Sequence, residues 1–282
     1  MSSSVAGASR LDRRSDVVIQ KPSAIAWRDI GVPLAVLLAA LALWEALVRW
    51  KNIPPYILPA PSVILAKLIE DRELLFSSLM VTLGVTFEAL IVATVSGVAL
   101  ALLIAQSKWL ERALLPFAIT LQVTPIIAIA PLLLVYLQPG NAVLVCAFLV
   151  AFFPILSNTS LGLASVDFGL RDLFDLYRAS PWQKLIYLRL PSALPQFLAG
   201  LRIGGGLALI GAIVAELAAG ASGQGTGLAY RIVEAGFRLD IPRMFAALAL
   251  ISLSGLAIYG ALAALSYVLL RGWHESARAQ DE

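Results

Sequence analysis

From Ile30 to Leu270 the chain is a series of long, almost uncharged apolar blocks separated by short polar segments. A bilayer core about 30 Å thick takes roughly 20 helical residues to cross. Backbone amides in lipid must be satisfied within the crossing segment, which selects helices over irregular chain. Six blocks have the required character: Gly31–Val48, Val81–Gln106, Phe117–Leu137, Ala142–Leu163, Gln196–Gly220 and Met244–Leu270. The pattern predicts an all-α, polytopic membrane protein with about six transmembrane helices. Pro125, Pro131 and Pro154 interrupt the third and fourth blocks, which is tolerated where neighbouring helices or water satisfy the freed carbonyls.

Three connections are longer than turns. Asn52–Leu75 opens with proline-rich extended chain and ends in a predicted amphipathic interfacial helix. Gly220–Arg243 is glycine-rich and then helical. The third, around DLYRASPWQKLIYLRLPSALP (175–195), is polar and lies between two apolar blocks. Ser180 at the N-cap, Pro181 at the first helical position and Gln183 at the third form a capping box with a proline start. The helix it opens is expected to stop at about Leu190, because Pro191 breaks it. Upstream, Asp167 is placed to cap a short helix whose Leu170, Leu173 and Leu176 make an apolar stripe. Two short helices are therefore expected within 167–191. An ordinary capped loop is the plain alternative. Phe174, Tyr177 and Trp182 beside Arg178 point instead to an interface, where aromatics and arginine are enriched.

Composition agrees with the pattern: 60% hydrophobic, 14% charged, mean hydropathy +0.86, against about a quarter charged in soluble domains. The net charge of +3 needs no nucleic-acid partner, since basic residues kept on cytoplasmic loops produce it. With the amino terminus inside, 13 Lys and Arg fall on the cytoplasmic side and seven outside, which favours both termini cytoplasmic. Residues 1–29 then read as a flexible cytoplasmic tail without a secretory signal, 30–271 as the membrane domain, and 272–282 as a second cytoplasmic tail. Cys146 is the single cysteine, so no intrachain disulfide exists. No catalytic set or metal site is expected, the lone His274 lying in the C-terminal tail. A P-loop pattern is absent, and the cluster Gly220, Gly223, Gly225 and Gly227 has no lysine for phosphates.

The segment from Asp172 resembles the EAA loop of permease subunits of binding-protein-dependent ABC importers. Asp172, Leu173 and Phe174 occupy its first three positions, Arg178 its glycine position, and Leu188, Leu190 and Pro191 its closing part. Both alanines and the glycine are replaced. The glycine matters most, because it takes positive φ at little cost and arginine does not. ILPAPSVI, TPIIAIAPLLLVY, FFPILSNTSLGL and ALPQFLAGLRIGGGLALIGAIVAE are similar to the nitrate/sulfonate/taurine branch, which also includes importers of thiamine-precursor pyrimidines and flavins. The similarity runs from about Ile30 to Leu270.

That resemblance implies a type I ABC importer permease fold in the bacterial inner membrane. It implies a cytoplasmic ATPase dimer as partner, carrying ATP and Mg, an extracytoplasmic solute-binding protein, and a second permease copy, giving a homodimer. No cofactor is expected in this chain. Asp167–Leu190 would be the coupling helices, with Asp172, Tyr177, Arg178, Ala179, Ser180 and Trp182 as the contact face and Leu190 and Pro191 closing the loop. Asp172, near a helix start, would suit the positive end of the helix dipole. Small and polar residues become pathway candidates: Gly204, Gly205, Gly206, Gly211, Gln122, Thr124, Ser157, Asn158 and Thr159. Ordinary interhelical packing is their other reading. Glu45, Glu88, Arg202 and Glu216 are ionisable groups in or near spans. Glu216 is expected either to hold the 220–243 loop or to gate the outer mouth. The solute expected is a small polar compound such as nitrate, a sulfonate, taurine or bicarbonate, with pyrimidines and flavins as the alternative. A secondary transporter or channel and a membrane enzyme are the competing classes. The first lacks repeated halves, the second clustered His, Asp or Cys.

Overall fold

A computed structural model describes residues 27–221 and 226–271. Both tails, with His274, and the loop positions Gly223 and Gly225 lie outside the described residues. Among the described residues there are helices and no strands. In order they are α1 (Trp27–Trp50), α2 (Pro61–Glu70), α3 (Arg72–Ile104), α4 (Lys108–Val123), α5 (Ile126–Tyr136), α6 (Pro139–Ala164), α7 (Phe168–Leu176), α8 (Pro181–Lys184), a π-helical turn (Leu185–Arg189), α9 (Leu190–Ala221), α10 (Leu228–Phe237) and α11 (Ile241–Leu270).

Among the described residues, five helices are long and apolar enough to cross a membrane: 31–50, 72–104, 139–164, 181–220 and 241–270. The expected span Phe117–Leu137 is not a single helix. It is divided between α4 and α5, which meet at Thr124 and Pro125. Pro125 has no N–H to continue α4 and pushes the preceding residue out of the helical region. The Thr124 hydroxyl donates to the Thr120 carbonyl at 2.8 Å, a local alternative to the backbone ladder. The second span also begins earlier than expected, at Arg72, so α3 is about 50 Å long at 1.5 Å per residue.

Apolar clusters fix the helix directions. Ala101 and Ile104 of α3, Leu114 of α4, Leu163 of α6 and Ala193 of α9 pack together at one end of the bundle, the loop end. Leu75 of α3, Leu228 and Ala229 of α10 and Ala246, Ala247 and Ile251 of α11 pack at the other, the far end. Hence α3 and α6 run parallel and α9 runs against both. The broken pair α4–α5 returns the chain between them, with Ala130 of α5 beside Val143 and Cys146 of α6.

The α6–α9 contact is the closest. A Cβ at Gly200 would lie 2.8 Å from the Pro154 carbonyl, at Gly204 3.1 Å from the Ala151 carbonyl, and at Gly211 2.9 Å from the Ala147 Cα. Gly162 of α6 returns the arrangement against Ala193, 2.8 Å from its Cα. In lipid there is no hydrophobic drive between helices, so close backbone approach and dispersion contacts supply the attraction. On the outer faces α1, α5 and α11 leave Leu37, Leu43, Ile127, Val135, Leu253 and Leu256 exposed, as lipid-facing surface requires.

The expectation that Pro191 ends the helix opened at Ser180 is overturned. From Pro181 the chain remains helical to the end of α9, through Pro191 and Pro195. The π turn explains this. The Leu190 N–H bonds to the Leu185 carbonyl, five residues back. The widened turn just ahead of Pro191 accommodates a residue that lacks an N–H and crowds the preceding turn. A rod of 40 residues, Pro181–Gly220, thus spans about 60 Å.

Candidate functional site: a capped knob, a continuous rod and a carboxylate clasp

At the loop end, α7 and α8 form a compact knob. The Asp167 carboxylate accepts the Leu170 N–H at 3.0 Å, capping α7. Asp172 is the fifth residue of that helix, so the expectation of Asp172 near its start is corrected: Asp167 holds the positive end of the dipole. α7 ends in a Schellman turn. The Ala179 N–H reaches the Phe174 carbonyl and the Arg178 N–H the Asp175 carbonyl, both at 3.0 Å. Arg178 sits at φ 50°, the left-handed region that glycine adopts most cheaply. The turn expected of a glycine is therefore made with arginine.

Two residues later the capping box is complete. Ser180 Oγ accepts the Gln183 N–H at 3.3 Å, and Gln183 Oε1 accepts the Ser180 N–H at 2.8 Å. Lys184 of α8 pairs with Asp175 of α7, staking the two helices together. The hydrogen bond from Lys184 and the charges of Lys184 and Arg171 hold the Asp175 carboxyl below its usual range. Phe168, Tyr177 and Trp182 are 80%, 78% and 68% exposed. Beside Tyr177, a hollow of about 300 Å³ is lined by Leu173, Phe174, Ala179, Gln183 and Tyr187. Such a cluster of uncovered aromatics around a notch is what an interface core presents. Leu190 and Pro191 lie beyond the knob, where the rod enters the bundle, and Arg189 there donates to the Ala105 carbonyl at the end of α3, at 3.2 Å.

At the far end of the rod, Glu216 is 4% exposed. Its carboxylate accepts the Thr82 hydroxyl of α3, at 2.8 Å to Oε1 and 3.0 Å to Oε2, and Oε2 accepts the Ala229 N–H at 3.0 Å. Thr82 Oγ1 in turn accepts the Leu228 N–H at 2.8 Å. These two amides open α10, whose N-cap, Gly227, has no side chain to satisfy them. Any Cβ at Gly227 would collide with the Glu216 carboxylate, so glycine is required for the approach. Glu216 thus bonds to the first turn of α10, inside the 220–243 segment. Thr82 and Gly227 were not foreseen. Ser78, Thr82 and Thr86, all buried, recur every four residues in an otherwise apolar span, and that hydroxyl stripe was the available signal.

Around the clasp, ion pairs join the α2–α3 corner to the start of α11, and a hydrogen bond joins α10 to α3. Arg243 Nε meets Asp71 at 2.6 Å, Lys67 meets Asp71 at 3.4 Å and Asp240 at 3.6 Å, and Arg231 donates to Ser78 at 2.9 Å. Burial works to raise the Asp71 pKa, and the hydrogen bonds and charges of Arg243 and Lys67 outweigh it, leaving it below the usual range. At the opposite end of α2, Glu45 of α1 accepts the Ser62 N–H at 3.0 Å in the first turn.

The pathway candidates divide. Gln122 and Thr124 line a cavity of about 370 Å³ at the α4–α5 break, with Phe153, Pro154 and Leu207 on its other walls. Among the described residues, no ionisable one lines it. Gly204, Gly205 and Gly211 instead pack against Ile155, Leu262 and Ala147, whereas Gly206 has nothing within 4 Å of a built Cβ. Asn158 donates to the Pro154 carbonyl and Thr159 to the Ile155 carbonyl, at 2.8 and 2.6 Å. Ser157 and Glu88 are exposed, and Arg202 lies over the Tyr259 ring at 5.8 Å. No group of three or more His, Cys, Asp or Glu suited to a metal occurs among the described residues.

A riboflavin transport system permease of Chloroflexus aurantiacus is 34% identical over 89% of this chain and 92% of its own length. A formylaminopyrimidine transport permease of Halalkalibacterium halodurans is 34% identical over 84% of this chain and 94% of its own. Permeases named for nitrate, aliphatic sulfonate, bicarbonate and taurine transport are also related. The crystal structure of an amino acid ABC transporter with histidines superposes with a TM-score of 0.59, over 71% of this chain and 96% of that one, at 18% identity, which shows a shared fold. Residues 93–271 match the family of binding-protein-dependent transport system inner membrane components. With its bundle of apolar helices and its similarity to permeases along most of their length, the chain belongs to that family and is a transmembrane permease subunit of an ABC importer.

Proposed function

We propose that two copies of this chain form the pathway through which a small polar solute enters, driven by a cytoplasmic ATPase dimer that grips the α7–α8 knob. Solute would arrive from a binding protein at the far end, and both termini would lie in the cytoplasm. The carrying observation is the knob itself: two capped helices, locked together by Lys184 and Asp175, presenting Tyr177 and Trp182 to solvent. Capped and continuous with the rod, it transmits force instead of absorbing it. ATP and Mg belong to the ATPase, and the chain's own contribution is positional.

The test is co-purification of the ATPase with permease carrying Trp182→Ala together with Arg178→Glu. Loss of the ATPase and of uptake is expected, and retention of both would overturn the reading. A channel or secondary transporter would move solute with the permease alone in vesicles. No transport is expected there without the ATPase and binding protein.

For the solute, an uncharged heterocycle of the pyrimidine or flavin kind is favoured over an anion. Among the described residues the cavity beside Pro125 offers an amide, a hydroxyl and the Phe153 ring, with no cation. The permeases that are 34% identical over 89% and 84% of this chain are named for such compounds, whereas the 34% identity of a nitrate import permease covers 47% of it. Riboflavin or formylaminopyrimidine should raise the melting temperature of the cognate binding protein. Stabilisation by nitrate or taurine instead would reverse the choice.

A further inference from the structure

We infer that Glu216 fastens α10 to the rod, so that a displacement applied at Ser180–Trp182 emerges at the far end as a movement of Leu228–Phe237; the inference rests on the coupling role proposed for the knob. Three observations join. The rod has no break between Pro181 and Ala221, a π turn leading into Pro191 and α9 continuing through Pro195. Its far end carries a buried carboxylate whose partners are the Thr82 hydroxyl and the first turn of α10. And α10 has no cap of its own, so its opening amides depend on Glu216 and Thr82. Releasing them would leave buried donors without partners, which strongly disfavours separation. Gly227 lets the backbone come close enough for the clasp to form.

Glu216 is on this account a positioning residue. It does not contact solute. It determines whether α10 follows α9 or stays behind with α11, against which α10 also packs through Leu228, Ala229, Ala246 and Ala247. A residue needed only for folding would not make the movement of α10 depend on nucleotide.

The test uses the assembled transporter, with Cys146, the sole cysteine, replaced by alanine. Spin labels are placed at Leu217→Cys on α9 or Phe237→Cys on α10, both exposed positions. The distance between the two copies' labels is measured without nucleotide and after trapping with Mg·ATP and orthovanadate. With Glu216 and Thr82 intact, both label pairs should shift together. In Glu216→Gln or Thr82→Val the shift at 237 should fall about threefold or more relative to that at 217, the scale of lost coupling when a connecting contact is removed. Thr82→Ser, which keeps the hydroxyl, should restore it. Movement at 217 without movement at 237 in the intact transporter overturns the inference alone, as does an undiminished shift at 237 in both variants. If neither pair moves in the intact transporter, the rod carries no displacement, and the inference falls together with the coupling role. The intact transporter decides the matter even where a variant fails to assemble.

Discussion

Arg178 is held in a left-handed conformation that costs an L-residue about 1–2 kcal/mol. Glycine would remove that cost and give back about 0.5–1 kcal/mol through its freer unfolded chain. Arg178→Gly should therefore stabilise the α7–α8 turn by about 0.5–1 kcal/mol, seen as slower hydrogen exchange at the Ala179 amide. Faster exchange would show that the arginine side chain supplies more than the backbone loses. Asp71 gives a pH prediction. Its folded pKa lies below the ordinary carboxylate value because Arg243 and Lys67 outweigh burial. It thus contributes stability that is present above the ordinary range and is lost as pH falls through the lowered folded value. Arg243→Gln removes the 2.6 Å partner, so the acid loosening of the α2–α11 contact should move to higher pH, read by hydrogen exchange in α2. Motif reading located these residues unevenly. Ser180, Gln183 and Asp167 signal their bonds within three positions of themselves. Thr82 is 134 residues from Glu216, and nothing local to either names the other.

Among elements, α9 shows where helix rules read from sequence run out. Proline lacks an N–H wherever it occurs, yet Pro125 separates two helices, Pro154 lies within one and Pro191 follows a π turn. The outcome depends on whether neighbours hold the helix together across the defect, and those neighbours are distant in sequence. Small residues divide the same way. A Cβ at Gly200 or Gly211 would press on the α6 backbone, and one at Gly206 would meet nothing within 4 Å. Gly211→Val should destabilise the folded permease by about 1–3 kcal/mol through overpacking, whereas Gly206→Ala, inside α9 with open space for its Cβ, should stabilise it by about 0.5–1 kcal/mol. Thermal unfolding in detergent distinguishes them, and equal effects would contradict the assigned faces. At the break, Pro125→Ala should let α4 extend into α5 and deform the cavity that Gln122 and Thr124 line. A cysteine at exposed Thr124 would report this through an altered rate of modification by a water-soluble thiol reagent.

For the whole molecule, charge and mechanics share one axis. Arg171, Arg178, Lys184 and Arg189 gather at the loop end, while Lys67, Arg231 and Arg243, neutralised by Asp71, Glu234 and Asp240, gather at the far end. Under the positive-inside rule the loop end would face the cytoplasm, as proposed above. Protease or thiol-labelling access to Tyr177 and Trp182, each replaced by cysteine, should accordingly be from the cytoplasmic side only. Access from outside would leave an ATPase nothing to hold.

By itself the sequence determined the class of the molecule. Blocks of apolar residues long enough to cross a bilayer admit few structures besides a helical bundle, and caps at Asp167 and Ser180 act over one turn, so both are legible without a fold. Tertiary structure alone decided which glycines pack and which stays open, how the chain passes Pro191 yet breaks at Pro125, and that Glu216 closes on Thr82 and α10. Each of these depends on groups brought together from opposite parts of the chain, and their free energy exists only once the helices are side by side.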